Sequence, residues 1–196
     1  MRRFVKTSVP AEGYEQVKKV GERWLVHLEG TPVEGGLIEC YECMTDGDPD
    51  IAELTAELQT WKAYVAEREL AVVKMSKMAE LEAYDASDAV NSFRVNVGNE
   101  AIDTWITPEQ RSDYKNSIDA AELLGMTEVH PVLNGVPVTL DIQTAKTALA
   151  RIQIYANQCY GVTEQHKAAI NALNTIEAVE GYDHTTGYPP QLIFEV

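Results

Sequence analysis

Basic residues are scarce in this chain: 16 Lys and Arg stand against 31 Asp and Glu over 196 positions, a formal charge of −15. Such a surface repels phosphate, which disfavours nucleic-acid binding, a mode that runs on clustered cations displacing counterions. The cations that exist gather toward the N-terminal end at Arg2, Arg3, Lys6, Lys18 and Lys19, either as a docking contact for an acidic partner or as a solvated face. Long apolar runs are missing too. No stretch approaches the roughly 18 residues of a membrane span, and no apolar core follows the first arginines as a secretion signal would require. The protein is expected to stay where it is made or to leave inside a larger particle.

Cysteine and histidine are equally sparse. Cys40 and Cys43 form a lone CxxC, Cys159 stands far off, and His27, His130, His166 and His184 share no ligand spacing. A zinc site takes four ligands, and no second CxxC or HxxxH supplies the other two. On one strand the odd offset of Cys40 and Cys43 turns them to opposite faces, away from a shared disulfide or metal. The chain also lacks a GxSxG elbow, an HExxH helix, a phosphate loop and a GxGxxG turn. No catalytic, cofactor-binding or metal-binding residue is therefore assigned, and the reading is non-enzymatic. A glycan hydrolase built on two of the 31 acids is the route left to an enzyme, with Asp183 and His184, adjacent in a turn, the most concrete reactive pair.

What is present suits a folded α+β protein: 45% hydrophobic and 24% charged residues. Residues 1–48 read as a small antiparallel β module of three or four strands, broken by Pro10, Gly30, Pro32, Gly35 and Gly36. Residues 49–84 read as a long helical connector, with Asp50 as its cap. Residues 85–196 read as an α+β domain of hairpins and three to four helices. Its punctuation is explicit. Ser92 to Val97 and Ala101 to Ile106 form a strand pair, Thr107 and Pro108 open a helix, and Asn134-Gly135 turns a hairpin from Val129 to Leu140. Asp141 caps a helix expected to end near Gly161, Thr163 opens another to Leu173, and Thr175 starts a short one to Glu180. Two helix ends share Tyr-Asp-x-Ser/Thr, at Tyr84 and at Tyr182, read as common stop chemistry.

Two surfaces are candidates for interaction. Along the connector, Ile51, Leu54, Leu58, Trp61, Val65, Val72 and Met75 alternate by three and four, with Arg68 in the one gap. That heptad register serves either a coiled coil or packing on the chain's own domain. At the C-terminal end, Tyr182, Tyr188, Pro189, Pro190 and Phe194 lie in a tail expected to be irregular, since Pro189 and Pro190 keep it from being a helix. The tail either straps its own core or inserts into a neighbour.

Residues from about Glu80 onward resemble a family of bacteriophage and prophage proteins of unknown function, common in gut Bacteroides-type genomes and associated with tails or tail fibres. The carrying stretches are EAYDASDAVNSF at 82–93, IDTWITPEQRSDYKNSI at 102–118 and IYANQCYGVTEQHKAAINALNTIEAVEGYDHTTGYPPQLIF at 154–194. The β segment and the YVAEREL region resemble the usual leader of the same proteins. One departure is an expected extension of the loop between Phe93 and Trp105, with Val97 to Ile102 inserted. The resemblance implies a virion structural or adaptor protein of the tail, made in the bacterial host cytoplasm, with other phage tail proteins as partners. It brings no catalytic residues and no cofactor. If the chain self-associates, a trimer fits fibre symmetry. A tail-fibre assembly chaperone is the alternative.

Overall fold

The computed structural model describes residues 2–196. It is an α+β protein whose division into two compact units falls between Ala71 and Val72, inside one helix.

The first unit holds strands β1 (Val5–Pro10), β2 (Val17–Val20), β3 (Arg23–Val33) and β4 (Leu37–Thr45), antiparallel in the order β1-β4-β3-β2. Helix α1 (Ile51–Asp85) follows, and the Asp50 carboxylate caps it by accepting from Ala52 N at 2.9 Å and Glu53 N at 3.1 Å. Alternation along β3 points Val26 and Leu28 at the helix, where they meet Phe4, Cys43, Leu54 and Leu58. The intervening His27 is buried on the other face, stacked on Tyr14 with ring centroids 5.5 Å apart. Over Val26 to Leu28 both faces of β3 are therefore covered, while Glu29 to Val33 are exposed. The β3–β4 register shifts between Leu28 and Thr31, with Glu29 at φ 54°. Gly30 sits beside that kink, where a Cβ would lie 2.5 Å from the Tyr14 hydroxyl. Cys40 and Cys43 do take opposite faces of β4, and both are buried free thiols.

In the second unit, β5 (Phe93–Val97) and β6 (Glu100–Thr104) pair antiparallel through Gly98 and Asn99. Val97 faces Glu100 directly and Gly98 has φ 60°, so the loop expected to be extended is a two-residue turn. Helix α2 (Pro108–Leu123) opens with a capping box: Thr107 Oγ1 accepts from Gln110 N and Gln110 Oε1 accepts from Thr107 N. The Asn134-Gly135 hairpin forms as β7 (Glu128–Val129), β8 (Val132–Leu133), β9 (Val136–Pro137) and β10 (Leu140–Asp141). Its turn residues have φ 47° and 84°, and one register runs through both ladders. Pro131, which lacks an N–H, interrupts the pairing.

The second unit departs from the sequence expectation in α3 and in the C-terminal tail. Helix α3 (Ile142–Ala172) runs without a break through Gly161 and Thr163, although a stop and a restart were expected. Thr163 is an interior residue whose hydroxyl serves tertiary partners and does not cap a helix. The C-terminal tail is not irregular throughout: after α4 (Ile176–Glu180), strand β11 (Leu192–Glu195) pairs parallel with β5, giving a sheet ordered β11-β5-β6. Pro189 and Pro190 precede the paired residues and so cost the ladder no donor.

Candidate functional site

The structure splits the α1 stripe. Leu54 and Leu58 are buried against the first unit's sheet, with Ile51 and Trp61 partly buried beside them; the Trp61 ring meets Phe4 at 5.9 Å and Tyr41 at 6.1 Å. Val65 is half-buried. Val72 is 66% exposed and Met75 73%, and Tyr64, one turn before Arg68, is exposed as well. Arg68 Nη1 donates to the Tyr64 hydroxyl at 2.8 Å, so the charged residue in the register covers a neighbouring ring. A single heptad pattern thus serves as core over its first turns and as free apolar surface further along.

The tail residues gather on α3. His166, buried, sits between Tyr182 and Tyr188. Its Nε2 donates to the Thr186 carbonyl at 2.9 Å, which leaves Nδ1 to accept from the Tyr182 hydroxyl at 2.7 Å. Thr163 Oγ1 donates to Asp85 Oδ1 at 2.6 Å and lies 2.9 Å from the Tyr188 hydroxyl. Burial raises the Tyr188 phenol above its ordinary range. Phe194 packs edge-on against Phe93 with Arg151 over its ring, Pro189 is half-buried and Pro190 exposed. The structure thus brings Tyr182 and Tyr188 together at His166, and places Phe194 in a separate cluster with Phe93 and Val95.

The two Tyr-Asp stops meet but close differently. Tyr84 packs on Tyr188 at 5.6 Å and donates to the Thr185 carbonyl at 3.3 Å. Asp183 folds back on Thr185, accepting from its N at 2.9 Å and its Oγ1 at 2.7 Å, and these bonds pull its carboxyl below the usual range. Asp85 instead gives its carboxylate to Thr163, while Ser87 closes onto the Tyr84 carbonyl at 2.6 Å. The aspartate fold-back therefore holds at the second stop and not at the first, where the serine does it instead, Ser87 Oγ accepting from Ala89 N at 3.3 Å. The Asp183 carboxylate is bonded to Thr185, and the adjacent His184 ring meets Tyr84 edge-on.

Burial pushes the thiols of Cys40, Cys43 and Cys159 above their ordinary value, so each is held neutral and not as the thiolate that metals and nucleophilic chemistry use. Among the described residues, no group of three or more His, Cys, Asp or Glu converges in a way that could hold a metal ion. At the N-terminal end Arg2 pairs with Glu57 at 3.2 Å, Lys6 with Glu39 at 2.9 Å, and Lys19 lies over the Trp24 ring. Those cations have partners on their own unit.

One feature no motif announced is an apolar cavity of about 580 Å³, open to solvent on one side and bordered by α2, α3, the β7–β10 hairpin and the β11-β5 pair. Its signal in the sequence is faint: Ala120, Ala121, Ala145 and Ala148 put small side chains where helices α2 and α3 face the hairpin.

No family model matches the chain, and no curated protein or solved structure is similar to it. No helix among the described residues is long and apolar enough to cross a membrane.

Proposed function

We propose that this chain is a structural or adaptor protein of a bacteriophage tail, working through protein contacts at apolar faces on an anionic body. The observation that carries this reading is the exposure of Val72 and Met75, 66% and 73%, in the same register that buries Leu54 and Leu58. Apolar side chains that continue a heptad into solvent lose water-exposed area when a second helix lies on them, and each such burial favours association by about 1.5–3 kcal/mol at most. The tail assignment itself rests on the resemblance of residues 82–93, 102–118 and 154–194 to phage tail-region proteins.

Quantitative mass spectrometry of purified virions from a phage or induced prophage encoding the chain tests the reading. A fixed copy number per particle is the expected result. Detection in the lysate with absence from the finished particle would overturn it in favour of a transient assembly chaperone.

A further inference from the structure

We infer that the cavity between α2, α3 and the β7–β10 hairpin is a binding site for an uncharged, apolar small molecule. Its volume, about 580 Å³, falls within the range of roughly 300–1,000 Å³ typical of sites that enclose a ligand of drug or lipid-chain size. The space has a clear origin. Ala121, Ala145 and Ala148 stop short on the helix side, while Val95 on β5 and Val138 and Leu140 on the hairpin form the facing walls. Apolar walls of this kind offer water few hydrogen-bond partners, so an apolar guest that displaces it gains by burying its own surface.

The polar groups at its edges set the charge of the guest. No Lys or Arg lines the cavity, and its one carboxylate side chain, Glu195, already accepts from Asn96 Nδ2 at 2.8 Å. Tyr114 donates to the Val132 carbonyl and His130 is joined to Thr139. A carboxylate, sulfonate or phosphate would therefore enter with no cation to receive it, on a chain whose formal charge is −15. Entry is provided for: Leu124 and Met126 belong to the lining yet are 78% and 51% exposed, so apolar surface runs continuously from solvent to the interior. This site lies wholly in the second unit and involves neither Val72 nor Met75, so it stands or falls apart from the tail-protein reading.

The test titrates N-phenyl-1-naphthylamine, a neutral probe that brightens in apolar surroundings, into the full chain, with 8-anilinonaphthalene-1-sulfonate as its anionic counterpart. Saturable binding at one site per chain is expected, at least about tenfold tighter for the neutral probe. Ser117→Phe places a ring at the mouth from an exposed helix position, and Ala148→Phe fills the interior. Each should weaken the neutral probe at least about tenfold with the circular dichroism retained. Leu123→Ser alters an exposed residue outside the cavity and should leave binding unchanged. Should Ala148→Phe fail to fold, Ser117→Phe decides. Non-saturating fluorescence, or equal binding by wild type and Ser117→Phe, overturns the site. Equal affinity for the sulfonate overturns its preference for an uncharged guest. Failure to bind together with dissolution of a wild-type oligomer by Ser117→Phe would reassign the cavity to a partner chain.

Discussion

The imidazole of His166 accepts the Tyr182 hydroxyl at 2.7 Å while its other nitrogen donates to the Thr186 carbonyl, fastening the segment after α4 onto α3. Because His166 is buried, removing the phenol leaves a ring nitrogen unsatisfied away from water. Tyr182→Phe should therefore lower unfolding free energy by about 1–3 kcal/mol, read as a shifted urea midpoint at unchanged slope. Tyr160→Phe, at an exposed site, should stay within about 0.5 kcal/mol of wild type. Equal effects of the two substitutions would show that the Tyr182 contact contributes nothing.

The split of the α1 stripe separates folding from association. Leu58→Ala, at a fully buried position, should cost about 2–5 kcal/mol through lost transfer energy and a residual void. The double substitution Val72→Glu with Met75→Glu touches exposed side chains and keeps good helix formers, so it should change stability by about 0.5 kcal/mol or less. In light scattering the same pair should convert an oligomeric wild type to a monomer. A wild type that is already monomeric at high concentration sinks self-association through this face.

How far the residues announced the fold can be judged at particular positions. Asp50, Thr107, Asp141 and Thr175 each satisfy orphan N–H groups at a helix start, a local interaction legible without knowing the rest of the chain. The Asn134-Gly135 turn is legible for the same reason: few other residues tolerate positive φ. Pairing of β11 with β5 was hidden because Leu192 meets Phe93 across nearly the whole second unit, and parallel strands leave no turn to read. The exposure of Val72 and Met75 was undecided by their spacing, since a heptad records which residues share a face and not what lies opposite it. The cavity escaped for a related reason: Ala121, Ala145 and Ala148 become a void only once α2, α3 and the hairpin are placed around them.

Gly161 is the position where local logic misled, and it gives a prediction of its own. Glycine disfavours a helix by its backbone entropy, yet α3 continues through it because Ile152, Tyr155, Cys159, Thr163 and Ile170 keep one buried face on either side. A Cβ at Gly161 would meet nothing within 4 Å and its φ is not in the left-handed region. Gly161→Ala should therefore stabilise the chain by about 0.5–1 kcal/mol, visible as a higher thermal midpoint. A lower midpoint would mean that the glycine is required for a motion or contact that alanine blocks.

Tyr155 gives the fold an alkaline limb. Its side chain is buried and its hydroxyl donates to the Val90 carbonyl at 3.2 Å; burial is the main reason its pKa is pushed up to about 12, with Cys159 adding to it. The unfolded phenol ionises near its ordinary value of about 10. Below that value both states hold the proton and the stabilisation is fully present. As pH rises from about 10 to about 12 the unfolded chain sheds the proton first, so stability falls across that window. Tyr155→Phe should cost about 1 kcal/mol at neutral pH by stranding the carbonyl, and should reduce the loss between pH 10 and 12. Urea unfolding of both proteins from pH 8 upward checks it, because the lysines titrate alike in each and cancel in the difference. Parallel curves over the whole range would mean that the phenol ionises as readily in the folded chain as in the unfolded one.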